Sequence, residues 1–567
     1  LADALEAVKN HGTAGNYRVD LLRDYGPQAT ELASSTVMGK SDIAQMTGFV
    51  PGMNITITGD PQQTGVGVYK LTLSSYVSFL LPKNSGAHFL FQNIKFSTGH
   101  GTILGGNGSK LTMDTGIEVS GDYFQVCGGG GNSVVSGTYT FDGDTDLTIK
   151  SGQYYLVAGG NSQYATSSIP GDRHSTFTGN TKVTIEGGTM QHVSAISSSF
   201  SFSGYTYIHT GNAELNINGG TITQHILAGA TGDGYVGQPG KDTVNGTVTI
   251  NMNAPGSYNN IYASGVTDAD ANIQNAIYNI NADVSVANVY GFSNLNIANG
   301  KTLTVTGDLN AKTSNANPAG NITFNGDSTL KLNSTYTPVA GSFVVTGEGN
   351  NLQINKNGST TYPINLYGSK PTGNGKLIVG PYTDSTAIPA SNDVLIKYTT
   401  DKSQADRADY ASGFADYVLL ADPTQGTVYL NGRMVSVTYG GATEYFPNIK
   451  EAMAKVTDAN TEYTVTVRKQ NYEVTDADVA AMKTAAAKKI TFTSKFTLEA
   501  LDPLETGESA GQEVTRTIKI NKDLELGAEY LFTNVKFDYQ SAGKNIFANG
   551  KKVTFGDTAT TGDIGLN

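Results

Sequence analysis

The hydrophobic positions of this chain fall into short runs of period two. Six such runs follow one another: KLTMDTG, DLTIKSG, KVTIEGG, ELNINGG, TVTINMN and IYNINAD. Their central apolar residues are Met113, Ile149, Ile185, Ile217, Ile250 and Ile280, spaced 36, 36, 32, 33 and 30 residues apart. Apolar-polar alternation is the strand period. Gly-Gly or Ser-Gly follows several runs, and then a second apolar stretch at 154–157, 190–193 and 222–226. The ladder continues with LNIANGKTLTV from Leu295, ITFNGDSTLKL from Ile322 and VVTGEGNNLQI from Val344. Several short strands per repeat, with Gly and Asn at corners that need positive φ, predict an all-β chain wound as a parallel β-helix, or β-solenoid. Leu, Val and Ile would stack inward, with Thr, Asn and Lys facing water. The longer spacings imply loops at 163–179 and 198–211. A stack of β-sandwich domains would also space strands regularly. The ladder runs for more repeats than one sandwich uses, and no shift in composition interrupts it.

A second, longer period lies over the first. LADALEAV from Leu1 and IKEAMAKV from Ile449 both place apolar residues on one helical face: Leu1, Ala4, Leu5 and Val8, then Ile449, Ala452, Met453 and Val456. Tyr17, Val19 and Leu21 alternate as Tyr463, Val465 and Val467 do. DIAQM from Asp42 matches DVAAM from Asp478, and Thr475 to Asp478 has the spacing of a capping box. ITIT from Ile55 matches ITFT from Ile490, FLFQNIKF from Phe89 matches YLFTNVKF from Tyr530, and NGSKLTM from Asn107 matches NGKKVTF from Asn549. The offsets run from 490 − 55 = 435 to 449 − 1 = 448. Six matches in one order favour a repeat of about that length over two unrelated domains with similar leading segments. The expected organisation is a helix-strand leading cap at 1–60, β-helix coils at 61–365, closing strands and a loop-rich boundary at 366–440, and the start of a second copy at 441–567, with the unit boundary inside 427–441. The short amphipathic helices that start each copy would cap the open end of a coil stack.

Composition narrows the classes. Of 567 residues 68 are Gly, without a G-X-Y period, which excludes collagen. The single Cys127 excludes a disulfide framework and a Cys-based structural zinc site, and it is expected to be buried. A net charge of −12 without basic clusters argues against a nucleic-acid partner. No stretch reaches the ~18 apolar residues of a membrane span, so no membrane insertion is expected. The chain opens inside a helical pattern, without a signal peptide, and reads as an excerpt from something longer.

The helices ADALEAVKN and IKEAMAKV, the strands after them and the coil marks TIEGGT and NINGGT resemble the pectate-lyase-like right-handed parallel β-helix. More specifically, they resemble the large repetitive adhesin-like surface proteins of clostridial-type Gram-positive bacteria. The resemblance covers most of the chain. It implies a right-handed coil, an extracellular, cell-surface location, and a binding or scaffolding role. The partners it implies are other copies of the repeat and a glycan or a host or neighbour-cell surface protein. No LPxTG-type anchor motif occurs in the sequence. A self-assembling surface filament or surface-layer subunit, and a polysaccharide lyase or hydrolase, are the alternative functions.

The chain shows no complete catalytic constellation, so the expected function is not enzymatic. GHG at 99–101 lacks the NTD, DD and RIK companions of polygalacturonase-like enzymes, and the second copy reads YQSAGK there. No coil shows the recurring acidic pair that glycoside hydrolysis needs. Asp142, Asp144 and Asp146 have the alternating spacing of a calcium loop. However, Leu147 stands where that loop needs Gly, and no Glu follows at position 12. They are the one metal candidate, with Ca2+ as its ion. Asp476 and Asp478 suit a helix N-terminus, and Asp268 and Asp270 form a further pair. CGGGGN at 127–132 and ATGDGYVGQPGK at 230–241 match no phosphate loop, and no cofactor site is expected. His174, His192, His209 and His225 lack metal-ligand spacing, although stacked coils would bring His192 and His225 together. The ligand-contact candidates are Tyr164, Tyr205, Tyr207, Tyr235, Tyr258 and Tyr262, read as loop residues of consecutive coils able to line one face.

Overall fold

The computed structural model describes residues 1–32, 42–132, 137–164, 173–200, 205–229, 231–232, 241–263, 272–273, 275–310, 320–333, 336–357, 360–382, 389, 391–414, 417–499, 502, 508–540, 543–556 and 565–566. The fold is all-β in character, with long parallel sheets and short helices. It divides into two compact units, one of Leu1–Leu352 with Ile364–Gly375, the other of Gln353–Pro363 with Lys376–Asn567. That division follows packing, whereas the long repeat follows sequence, and the two need not coincide.

In the first unit the chain visits several sheets in turn and then returns to the first. Among the described residues one sheet holds thirteen strands in sequence order, from Gly15–Asp20 and Met53–Thr58 to Phe343–Thr346 and Thr372–Gly373. Parallel in-register pairing places equivalent residues of successive circuits side by side. One inward column runs Ile55, Phe89, Leu111, Leu147, Val183, Leu215, Ile250, Tyr278, Leu295, Ile322 and Phe343. A second, two residues on, runs Ile57, Phe91, Met113, Ile149, Ile185, Ile217, Met252, Ile280, Ile297, Phe324 and Val345. All are fully buried. Each such side chain contributes roughly 1.5–3 kcal/mol of burial, so these columns are a large part of the unit's stabilisation. They also correct the sequence ladder: Ile250 belongs to the first column and Met252 takes its place in the second.

Polar columns repeat the same logic at the corners. Asp144 Oδ1 accepts from the backbone N–H of Asn180 (2.8 Å), Asn180 Oδ1 from that of Asn212 (2.9 Å), and Asn212 Oδ1 from that of Thr247 (2.9 Å). On the outer face of the thirteen-strand sheet the amides of Asn216, Asn251, Asn279 and Asn296 bond one to the next at 2.7–2.9 Å. Beside the corner, a Cβ on Gly211 would meet the carbonyl oxygen of Gly179 below it, so only glycine fits that close backbone approach.

The second unit contains α2 (Ile449–Met453), α3 (Asp476–Thr484) and a mixed sheet. The sheet's order is Ala442–Phe446, Val435–Tyr439, Glu462–Val467, Lys489–Thr493, Tyr530–Phe532 and Val553–Phe555. Its strand pairing follows that of the first unit's opening. Tyr17, Ile55, Phe89 and Leu111 are successive partners in one, and Tyr463, Ile490, Tyr530 and Val553 in the other. Tyr25, Leu71 and Phe96 correspond in the same way to Tyr472, Ile518 and Phe537. Asn93 and Asn534 both take positive φ, 45° and 49°, as do Asn107 and Asn549, 52° and 49°.

One pairing inferred from sequence changes. In the second unit the Asp478 carboxylate accepts from the Lys450 N–H of α2 (2.7 Å), the Tyr472 hydroxyl (3.1 Å) and the Thr475 N–H (3.0 Å), and Thr475 and Asp478 form the expected capping box. In the first unit the residue placed this way is Glu31, not Asp42. Glu31 accepts from the Ala2 N–H of α1, which spans Ala2–His11 (2.8 Å), from the Tyr25 hydroxyl (2.5 Å) and from the Gln28 N–H (2.7 Å). The differences 472 − 25, 475 − 28 and 478 − 31 are all 447. The motif match to Asp42 rested on local similarity, whereas the carboxylate's position relative to the helix end is what is retained.

Candidate ligand-binding groove

A second face of the first unit is built from Ser78–Leu80, Ile103–Gly105, Gln125–Cys127, Gln153–Ala158, Thr189–Ser194, Thr221–Leu227, Gly256–Tyr262 and Val284–Tyr290, each parallel to the next. Parallel strands lie about 4.8 Å apart, close to the spacing at which aromatic rings interact. Rings near the start of these strands, or on them, therefore form a file. Centroid distances are 5.7 Å from Tyr76 to His100, 4.4 Å to Tyr123, 4.6 Å to Tyr155, 5.3 Å to His192, 5.1 Å to His225, 5.5 Å to Tyr262 and 5.0 Å to Tyr290. Exposure varies along the file: Tyr76 and Tyr123 are 37% and 39% exposed, His192 and Tyr262 are buried at 2% and 5%, and His100, Tyr155, His225 and Tyr290 are half-buried.

The file's buried part is electrically quiet. Burial, reinforced by His225, pulls the His192 imidazole down to about 3, and burial lowers His225 as well. Burial, with Asp308 nearby, pushes the Tyr262 phenol up to about 12 and raises Tyr290, whose hydroxyl donates to Asp308 at 3.0 Å. These rings are thus uncharged at neutral pH. Asn260 packs its amide against His225 Nδ1 (3.0 Å) and accepts from Asn288 (2.8 Å), fixing the rims of the strands.

Beside the exposed end of the file lies a groove of about 580 Å³, lined across four successive circuits. Its accessible groups are Asp122, Tyr123, Gln153, Tyr155, Thr189, Gln191 and Thr223. Three strand spacings make this span about 14 Å. Two aromatic rings flanked by carboxamides, hydroxyls and one carboxylate can receive the apolar face of a polyhydroxylated ligand while hydrogen-bonding its rim.

The tyrosines expected to line one face divide. Tyr207, Tyr258 and Tyr262 correct the expectation of loop residues: they lie in Tyr205–His209 and Gly256–Tyr262 and are buried, at 0%, 8% and 5% exposure. The Tyr207 hydroxyl meets Ser197 Oγ at 2.7 Å inside the unit. In-register stacking turns a residue inward or outward by its place in the strand, which loop-based reading ignores. Tyr262 nevertheless belongs to the file. Tyr164 and Tyr205 stand on strands, with side chains outside the described residues, and Tyr235 lies outside them altogether. His192 and His225 are brought together as their spacing implied. Tyr76, Tyr123 and Tyr155 escaped notice; an aromatic recurring at intervals of about one circuit was the available signal.

The three aspartates do not converge. Asp142 pairs with Lys83 (2.8 Å), Asp146 with Lys110 (3.1 Å), and Asp144 heads the corner column. Among the described residues no group of three His, Cys, Asp or Glu stands close enough to hold a metal. Asp268 and Asp270 lie outside the described residues, as does the His174 side chain. Cys127 is buried, its thiol pushed up to about 12 by burial and set against the Gly129 carbonyl at 3.4 Å. Comparison with protein-family models, curated proteins and solved structures found no match to this chain.

Proposed function

We propose that this chain is a repeat module of an extracellular, cell-surface protein, wound as a right-handed parallel β-helix, that binds a glycan in the groove at the exposed end of the aromatic file. The observation that carries the reading is the pair Tyr123 and Tyr155, 4.6 Å apart, in a groove otherwise rimmed by Gln153, Gln191, Thr189 and Asp122. Tyrosine offers rigid amphipathic contact area at low entropic cost. Carboxamides and a carboxylate supply the donors and acceptors that hydroxyl groups need. Strands hold Gln153, Tyr155, Thr189, Gln191 and Thr223, and a short bend between Ile117–Ser120 and Gln125–Cys127 holds Asp122 and Tyr123. A surface built this way is largely preorganised, so little ordering opposes binding. Other repeats of the same protein are the structural partners.

The test is calorimetric titration with a panel of neutral and acidic oligosaccharides, comparing the unaltered chain with Tyr123→Ala and Tyr155→Ala. At least one oligosaccharide should bind, and each substitution should weaken it tenfold or more, ~1.4 kcal/mol. Binding unaffected by either change, or no binding across the panel, would remove the glycan reading. Release of new reducing or unsaturated ends during incubation would replace a scaffold with an enzyme.

A further inference from the structure

The two repeat openings differ in what covers them. In the second, Glu462–Val467 has a neighbour on each side: Lys489–Thr493, parallel, and Val435–Tyr439, antiparallel. Val435–Tyr439 is one arm of a hairpin with Ala442–Phe446, closed by Gly440 and Gly441 at φ 57° and 80°. Positive φ at both central residues matches the turn twist that hairpins favour. Only Pro447 and Asn448 separate this hairpin from α2. Val435 and Val437 are fully buried in one cluster with Ile449, Ala452, Val456 and Tyr463. The Tyr439 and Tyr463 rings meet at 5.3 Å.

In the first repeat the corresponding Leu1, Ala4, Val8 and Tyr17 are only half-buried. Gly15–Asp20 stands at the edge of its sheet, and its one strand partner among the described residues is Met53–Thr58. The hydrogen bonds that hold the start of the helix are the same. The Leu1 nitrogen donates to the Tyr25 hydroxyl at 2.8 Å, as the Ile449 nitrogen does to Tyr472 at 2.8 Å. An apolar helix face and a free strand edge thus lie together, in the frame that elsewhere in this chain carries a hairpin.

We propose that the surface formed by α1 and the outer edge of Gly15–Asp20 docks an antiparallel β-hairpin of the Met434–Phe446 class, joined to the helix by a two-residue link. The register follows from the second repeat, where Val435 faces Val467 and Val437 faces Val465. The incoming valines would therefore lie opposite Leu21 and Val19. The Arg468 N–H donates to the Met434 carbonyl at 2.8 Å, so the amides expected to gain partners are those of Leu22, Asp20 and Arg18. The surface is separate from the groove and does not depend on its ligand.

The test is hydrogen exchange on the 567-residue chain with and without a second copy of residues 432–448 placed ahead of Leu1. Exchange at Arg18, Asp20 and Leu22 should slow at least tenfold in the extended chain. A second extension, carrying Asp at both positions copied from Val435 and Val437, should exchange as the unextended chain does. Unchanged exchange in the first extension would overturn the proposal. So would equal slowing by both extensions, because covering would then not depend on the apolar register.

Discussion

At the scale of one residue, burial decides what a titratable side chain costs. His209 is fully buried and stacks on Phe177 at 5.2 Å, which stacks on Phe141 at 4.9 Å. Burial pulls its imidazole down to about 4, with the backbone at Asn212 and Gly211 offsetting part of the effect. The folded value lies below the ordinary 6.5, so the unfolded chain takes up the proton first. Stability from this residue is complete above about pH 6.5 and is lost as the pH falls toward 4, by roughly 3 kcal/mol over that window. His209→Phe would extend the aromatic column and remove this term. Urea midpoints between pH 7 and 4 should fall less steeply in the variant, and an unchanged slope would exclude His209 as the source. Glu31 acts in the same direction by another route. Burial alone would raise it, but the Tyr25 hydroxyl and the Gln28 and Ala2 amides outweigh burial and hold it below the ordinary 4.5. Its contribution is present above that value and is lost at lower pH. Neither role was legible in sequence: four histidines looked alike, and Glu31 lay in no motif.

At the scale of an element, a segment of the second unit is held by charge. Asp502 is fully buried and accepts from Arg468 Nε at 2.9 Å, Arg433 Nε at 3.3 Å and the Glu499 N–H at 2.7 Å. The Glu499 carboxylate meets Arg433 at 2.5 Å and the Tyr445 hydroxyl at 2.6 Å. The Arg433 guanidinium lies 3.6 Å from the centre of the Tyr445 ring, and that of Arg468 lies 4.2 Å from the centre of the Phe496 ring. Arg516 closes the cluster with a two-pronged bond to Glu508, at 2.6 and 2.8 Å. Removing one member of a buried ion network strands its partners. Asp502→Ala should therefore destabilise the second unit by about 3–5 kcal/mol in calorimetry, and Asp502→Asn by less. A loss under about 1 kcal/mol would mean the network is effectively solvated. The members are scattered from Arg433 to Arg516, so no local pattern announced them. The capping box at Thr475 and Asp478, confined to four residues, was legible.

At the scale of the molecule, parallel in-register stacking makes each circuit depend on its two neighbours. Stability in such an arrangement is close to a sum of local and nearest-neighbour terms. A lesion at one corner should therefore spread a short way only. Gly211→Ala would drive a methyl group into the Gly179 carbonyl. Amide exchange should accelerate in Thr181–Ile185, Ala213–Ile217 and Val248–Met252, and stay unchanged in Asn321–Asn325. Uniform acceleration would instead mark the first unit as one cooperative block.

What the sequence determined by itself was periodic: strands from alternation, corners from Gly and Asn, and a long repeat from two matching openings. These features are written locally, because strand pitch and backbone conformation depend on neighbouring residues. Tertiary structure alone decided which residues meet between circuits. The second inward column advances by 36, 36, 32, 35 and 28 residues from Met113 to Ile280, and loops of unequal length absorb the difference. An uneven circuit hides the partner of any given residue until the strands are paired. That is why Met252 replaced Ile250 in its column, why Tyr207 turned inward, and why separate tyrosines and histidines became one file of rings.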